Sequence, residues 1–313
     1  MESKKVNVLL VTGFLGSGKT TVMKNLIELA KQTPELNIGV VINEFGKINV
    51  DAQTINDKSI EITEINNGSI FCKCLEGTFV DSILALKDHN LDYLFIESSG
   101  LSDPSNMQSI MMHVNKFSDN SFYYAGTICV VDAKYFLKLS KSLVTIQRQI
   151  ASCNLCLVNK IDLAQDSVVE SVTKEISVIN PFATVHLTTF GNLPAKLFEK
   201  LNPDVFSKDM PSLNTAQNRP DVVLLTTAHI LPSNFVSDFI NAFNSKILRL
   251  KGFVRYEDGV YHIEAVGEEC LTEKLDLGRT LSELVVIPFP GIAIREEITA
   301  YLKGHVDWQC EVI

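Results

Sequence analysis

The sequence predicts an α/β protein: a doubly wound, mostly parallel sheet, followed by a smaller C-terminal α+β domain. Three observations carry this. Short Val-, Ile- and Leu-rich runs alternate with helical patterns through roughly the first two hundred residues, the signature of a sheet covered on both faces. A glycine-rich segment separates the first run from the first helical pattern. A polar stretch carrying Pro203, Pro211 and Pro220 then breaks the alternation. The expected organisation is residues 1–202, a linker at 203–220, and a second domain at 221–313. The length of 313 residues suits two domains.

The elements follow in order. Runs at 6–12, 38–43, 93–97, 127–132, 155–159 and 184–188 lack strict alternation and read as buried strands. Between the first two, 18–31 reads as a helix with Val22, Leu26 and Leu29 on one face. Beyond the linker come a strand at 222–229, a helix at 233–243 and two strands around Glu257-Asp258-Gly259. The Asp258-Gly259 pair is a hairpin signal. A strand at 284–288 and a helix at 294–302 complete the pattern.

Composition excludes several classes. Hydrophobic residues make up 46% and charged residues 21%, enough to build a core. The formal charge of −9, with no concentrated basic patch, argues against a nucleic-acid binder. Apolar runs such as 8–11 and 128–131 fall far short of a bilayer span, so no membrane is expected. Seven thinly spread cysteines do not suggest a secreted disulfide scaffold. The expected setting is cytoplasmic.

Gly13-Phe14-Leu15-Gly16-Ser17-Gly18-Lys19-Thr20 fits G-x-x-x-x-G-K-[ST], between a strand and an amphipathic helix as that motif requires. Its glycines let backbone N–H groups wrap phosphates, and the helix N-terminus adds positive potential. Lys19 would reach the β and γ phosphates, and Thr20 would ligate Mg²⁺. This places the first domain among the P-loop NTPases.

Asn159-Lys160-Ile161-Asp162 follows the 155–159 strand and has the N-K-x-D form that reads guanine. The Asp162 carboxylate accepts from guanine N1–H and its exocyclic amine. Adenine offers no such pair of donors, so GTP is the expected nucleotide. The Lys160 stem would lie over the base, with Asn159 bracing neighbouring loops. Glu97 ends a buried apolar run, a costly place for an acid unless a cation such as Mg²⁺ faces it. Gly100, three residues on, offers a backbone N–H to the γ-phosphate.

These residues together resemble the CobW-type GTPases, relatives of the metal-centre maturation GTPases for urease, hydrogenase and cobalamin enzymes. Residues 13–21, including Thr21, resemble the family's G-F-L-G-[SA]-G-K-T-T. Asn43-Glu44-Phe45-Gly46, with Asp51 downstream, resembles its N-E-F-G switch segment. Residues 97–104 resemble E-x-[ST]-G-L-x-[DE]-P, Val130-Val131-Asp132-Ala133 comes next in order, and Arg249-Leu250-Lys251-Gly252 resembles the C-terminal R-x-K-G. The resemblance implies a GTPase that delivers a transition metal, zinc or cobalt, to a client metalloenzyme or cofactor enzyme. The small domain would meet the client or a second copy in a homodimer. Glu44 or Asp51 would position the attacking water or the metal, beside Lys19 and Glu97. With no strong base in view, unassisted turnover should be slow.

One stretch departs from the family. Where it carries N-G-C-x-C-C, this chain has Asn67-Gly68-Ser69-Ile70-Phe71-Cys72-Lys73-Cys74. Cys72 and Cys74, two apart, would present thiolates to one face of an extended chain and suit Zn²⁺ or Co²⁺. Glu44 and, by analogy with the family, His113 are candidate further ligands. Two alternatives stay open: reduced thiols packed in a loop, and a nucleotide-gated adaptor for a corrinoid or other cofactor enzyme that holds no metal itself. Activation of a small carboxylate by GTP or ATP is disfavoured by the intact guanine motif. Cys153-x-x-Cys156 leads into a buried strand, where its sulfurs should turn to opposite faces as core packing. Cys129 reads as a small core residue. His186, His229 and His262 fall in strand patterns.

Overall fold

The computed structural model describes residues 5–32, 36–44, 61–66, 76–141, 143–194, 197, 222–266, 269–275, 279–289, 292–303 and 309–312. The chain divides into two units, one of Met1–Phe45 and Asp51–Thr215, the other of Gly46–Val50 and Ala216–Ile313. The stretch 203–220 lies outside the described residues.

The first unit is built on β1 (Val6–Gly13), α1 (Lys19–Lys31), β2 (Ile38–Glu44), β3 (Glu61–Asn66), α2 (Glu76–Leu84), β4 (Tyr93–Glu97) and α3 (Met107–Phe117). It continues through β5 (Phe122–Asp132), α4 (Phe136–Leu139), α5 (Val144–Ala151), β6 (Leu155–Asn159), a 3₁₀ turn (Ile161–Leu163), α6 (Asp166–Ile179) and β7 (Thr184–Leu187). The sheet order is β3-β2-β4-β1-β5-β6-β7, with every pairing parallel.

Strand periodicity explains how one sheet carries two cores. On β1, Val6, Val8 and Leu10 pack with Phe79 and Ile83 of α2 and Ile110 and Val114 of α3. Leu9 and Val11 face the other way, onto Val22, Met23, Leu26 and Ile27 of α1. Each large apolar side chain so buried contributes about 1.5–3 kcal/mol. Both faces being covered, the strands need continuous apolar runs rather than alternation.

After β4 the chain crosses from one flank of β1 to the other to form β5. Ligands of open α/β sheets lie at such a reversal, beyond the carboxyl ends of the strands. The ends of β1, β4, β5 and β6 therefore bring together Gly13, Glu97, Asp132 and Asn159.

The second unit contains β8 (Val223–Thr227), α7 (Phe235–Phe243), β9 (Ile247–Tyr256), β10 (Gly259–Val266), β11 (Glu269–Leu275), β12 (Ser282–Pro288), α8 (Arg295–Leu302) and β13 (Gln309–Val312). Its sheet, ordered β11-β10-β9-β12-β8-β13, is antiparallel throughout. Helices α7 and α8 bury Phe235, Phe239, Phe243, Ile298 and Leu302 against Leu225, Leu250, Val254 and Leu284 of the sheet. The β9–β10 turn is Glu257-Asp258, because Gly259 already pairs with Tyr256 at φ +146°. His229 lies just past the end of β8, whereas His186 and His262 lie within β7 and β10.

Candidate nucleotide site

The phosphate loop is shaped by positions that exclude a side chain. A Cβ on Gly13, at φ +139°, would lie 2.2 Å from the Val130 carbonyl oxygen; on Gly18, at φ +103°, it would lie 2.5 Å from Asn159 Nδ2. Glycine alone fits such close approaches in the left-handed region. Gly18 caps α1 without a side-chain bond, and the first turn contains no acidic residue. An N-terminus with no capping side chain and no acid in its first turn presents its positive potential to an anion. Ser17 Oγ and Ser99 Oγ are buried without a hydrogen-bond partner among the described residues. An orphaned hydroxyl within the phosphate loop, at Ser17, fits a phosphate-binding site.

Lys19 is buried, and its Nζ donates to the Phe14 carbonyl at 3.1 Å across the loop. Thr20 Oγ1 donates to Glu97 Oε1 at 3.0 Å, joining the first turn of α1 to the end of β4. Glu97 is 2% exposed. A hydroxyl and a carboxylate in contact at the mouth of a phosphate loop are hard oxygen donors, the chemistry Mg²⁺ prefers. Beside them Gly100 is pressed on the loop: its Cβ would lie 2.8 Å from the Leu15 backbone nitrogen.

The N-K-x-D turn is tied into this cradle. Asn159 Nδ2 donates to the Ser17 carbonyl at 2.9 Å, and Asn159 Oδ1 accepts the Gly191 N–H at 2.9 Å. Lys160 adopts φ +60°, and its Nζ pairs with Asp132 Oδ2 at 2.9 Å. Asp162 is exposed, so its carboxylate faces water where a base can approach. Asn25 of α1 holds the same loop, donating to the Phe190 and Gly191 carbonyls at 3.0 and 2.8 Å. No local motif marks Asn25, Gly191 or the Lys160–Asp132 pair as part of the site; only the order of the motifs points to Asp132.

The structure thus brings together Gly13, Gly16, Ser17, Gly18, Lys19, Thr20, Glu97, Gly100, Asn159 and Lys160 at one edge of the sheet. Thr21 follows in α1. Glu44 ends β2, while Asp51, Cys72 and Cys74 lie outside the described residues. His113 is exposed on α3 with its ring 5.3 Å from that of Phe117. Among the described residues no group of three or more His, Cys, Asp or Glu side chains could hold a metal ion.

Cys153 and Cys156 are buried core residues as expected, but their sulfurs do not turn to opposite faces. Cys129 and Cys156 are register partners on β5 and β6 and share a face. Cys153 precedes β6, in a turn closed by its N–H to the Ile150 carbonyl, so strand alternation does not govern it. All three thiols are buried, and the neighbouring Cys153 and Cys156 thiols lower the Cys129 pKa. The Cys129 thiol, together with burial, pushes Cys153 and Cys156 well above the ordinary thiol range.

A parallel sheet with this cradle at its carboxyl edge defines a P-loop nucleotide-binding protein. Residues 7–187 match the CobW/HypB/UreG nucleotide-binding domain, and the chain belongs to that family. It is 27% identical over 277 residues to the zinc chaperone YjiA of Escherichia coli, covering 87% of this chain and 79% of that protein. It is 28% identical over 239 residues to zinc-regulated GTPase metalloprotein activator 1 of Dictyostelium discoideum, covering 65% of this chain and 49% of the relative. The solved structure of Zn(II)-bound YjiA GTPase from E. coli aligns over 97% of this chain and 99% of its own, at 22% identity and a TM-score of 0.49. No helix of the described residues is long and apolar enough to cross a membrane.

Proposed function

We propose that this protein is a GTP-hydrolysing metallochaperone, using its nucleotide state to control the handling of a transition metal for a client metalloenzyme. One observation carries the nucleotide half: the Asn159 amide, at the head of the base motif, hydrogen-bonds the phosphate loop at Ser17 and the loop at Gly191, joining phosphate cradle and base motif. Asp162 would accept from guanine, with Lys160 over the base. Thr20 and Glu97 would hold Mg²⁺, which would supply positive charge against the triphosphate. Lys19 would leave the Phe14 carbonyl for the phosphates. The backbone amides of residues 13–20 orient the triphosphate for in-line attack by water, and Glu44 or Asp51 would position that water.

The metal half is supported by the zinc chaperone and zinc-regulated activator among the relatives. Zinc is therefore the first cargo to test, with cobalt second. Cys72, Cys74 and Glu44 are the proposed ligands, and His113 the weakest addition. Loss of γ-phosphate contacts at the Glu44–Asp51 segment and after Glu97 would relax both loops. Metal affinity and nucleotide affinity would then be coupled reciprocally. A second reading, an adaptor for a corrinoid or other cofactor enzyme that holds no metal itself, is favoured by Ser69 and Phe71 standing where the family carries cysteines.

The test is a titration of reduced, anaerobic protein with Zn²⁺ and Co²⁺, with and without a non-hydrolysable GTP analogue. GTP turnover is measured in parallel for wild type, Lys19→Ala and the double variant Cys72→Ser/Cys74→Ser. Thiolate-to-Co²⁺ absorption that the double variant lacks supports the chaperone. Metal binding unchanged by that variant removes the ligand assignment, and no metal binding with intact GTP turnover favours the adaptor. Turnover unaffected by Lys19→Ala would refute the active site.

A further inference from the structure

Helix α5 sends an amide into the core of the first unit. Gln149 is 1% exposed, and its Nε2 donates to the Ser102 carbonyl at 2.9 Å and the Gly100 carbonyl at 3.2 Å. Its Oε1 is buried without a partner among the described residues. An orphaned amide oxygen is destabilising, and an apolar side chain of the same length would avoid that cost. What the glutamine supplies in return is a pair of donors aimed at one loop.

That loop follows Glu97. The Ser102 N–H donates to the Ser99 carbonyl at 3.1 Å, forming a turn around Gly100 and Leu101. In a trans peptide the N–H points opposite to the C=O, and the described chain has no cis peptide. With the Ser99 carbonyl turned to Ser102 and the Gly100 carbonyl turned to Gln149, the N–H groups of Gly100 and Leu101 point away from both partners. Gly100 meanwhile lies against the Leu15 backbone of the phosphate loop. The end of α5 holds the same loop again, since Ser152 Oγ lies 3.3 Å from Ser105 Oγ, whose residue donates its N–H to Asp103 Oδ1 at 3.0 Å. From there the chain enters β6, which ends in Asn159.

We infer that Gln149 is a positioning residue that holds the Gly100–Ser102 turn with its amide N–H groups toward the terminal phosphate, and so sets the preference for triphosphate over diphosphate. This deepens the GTPase reading above and rests on it. Gln149 touches neither nucleotide nor metal; it acts through the turn. GDP, lacking the γ-phosphate, gains nothing from that orientation.

The experiment is calorimetry on the full chain with Mg²⁺, comparing GDP and a non-hydrolysable GTP analogue for wild type, Gln149→Met and Gln149→Glu. Methionine keeps the volume and removes both donors. Glutamate sets a carboxylate against two carbonyl oxygens. In Gln149→Met, affinity for the analogue is expected to fall by about tenfold relative to GDP, the equivalent of one or two neutral hydrogen bonds. Gln149→Glu should lose more, with GDP binding held within about twofold in both. An analogue-to-GDP ratio unchanged in folded Gln149→Met overturns the inference. Should both variants fail to fold, hydrogen–deuterium exchange on the wild type decides: protection at 98–104 and 144–151 must rise together with the analogue and not with GDP. Failure of that pattern also overturns it. Wild-type protein that binds neither nucleotide refutes the GTPase reading itself, a separate result.

Discussion

Asn159→Ala removes one amide that satisfies two buried backbone groups. Asn159 is 2% exposed, donating to the Ser17 carbonyl and accepting from Gly191 N–H, both at 2.9 Å. Alanine leaves that carbonyl and that N–H without these bonds. Each buried group stripped of its partner costs about 1–3 kcal/mol, so the pair amounts to roughly 2–6 kcal/mol before any water enters the gap. For a unit of 150–250 residues each kcal/mol lowers the midpoint by about 2–4 °C, so a drop of roughly 5–15 °C is expected once partial hydration is allowed. The damage extends to binding, because the freed Ser17 peptide belongs to the phosphate cradle. GDP affinity should fall by about ten- to a hundredfold although the side chain needs no contact with the base. Thermal unfolding of the apo protein and calorimetry with GDP measure the two effects. Asn159→Asp is the informative companion: it keeps the acceptor for Gly191 but faces a carboxylate oxygen to the Ser17 carbonyl, and should bind GDP no better than alanine. A midpoint within about 1 °C of wild type, with GDP affinity unchanged, would refute the idea that this amide joins the two halves of the site.

Other substitutions test neighbouring parts. Asp162→Asn exchanges an acceptor for a donor, mismatching the guanine amine and matching the carbonyl of xanthine; preference should swing from GDP toward xanthosine diphosphate by about a hundredfold, and retained guanine selectivity would exclude Asp162 from base recognition. Thr20→Val keeps the shape beside Glu97 but removes the hydroxyl, so added Mg²⁺ should no longer strengthen nucleotide binding, a loss of about tenfold or more read by titrating Mg²⁺ at fixed GDP. In the second unit, burial raises the Tyr256 hydroxyl from 10.0 to about 12, with Cys270 and the nearby Tyr261 and Asp258 adding to the shift. The unfolded chain therefore loses this proton first: the contribution is whole below pH 10 and disappears as pH rises through about 12. Denaturant midpoints of wild type and Tyr256→Phe should accordingly converge or cross in favour of phenylalanine over that range, and parallel curves would contradict the shift.

Local chemistry made much of this protein readable in one dimension. Continuous runs such as Val8–Val11 and Ile128–Val131 encode strands buried on both faces, because such strands need no polar side. The glycines at 13, 16 and 18 announce a backbone that must approach a ligand, and the guanine motif reads from hydrogen-bond donors and acceptors alone. Strand β11 was not readable, since residues 270–274 are exposed and carry no apolar pattern. It is an edge strand held by backbone pairing to β10, which leaves little trace in side chains. The three-thiol cluster escaped for a related reason. Strand alternation does not govern Cys153, because the chain enters β6 only at Leu155.

What tertiary structure alone decided is which distant groups share a bond. Thr20 and Glu97 are 77 residues apart, and Asn159 and Ser17 are 142 apart. Gln149 sits in an ordinary amphipathic helix, where a lone amide reads as surface. Its burial against Gly100 and Ser102 follows from the packing of α5, not from any spacing along the chain. Residue types specify the chemistry a site can perform, since donors, acceptors and backbone freedom are local properties. Which of them meet depends on strand order and register, and those come from the packing of the whole sheet.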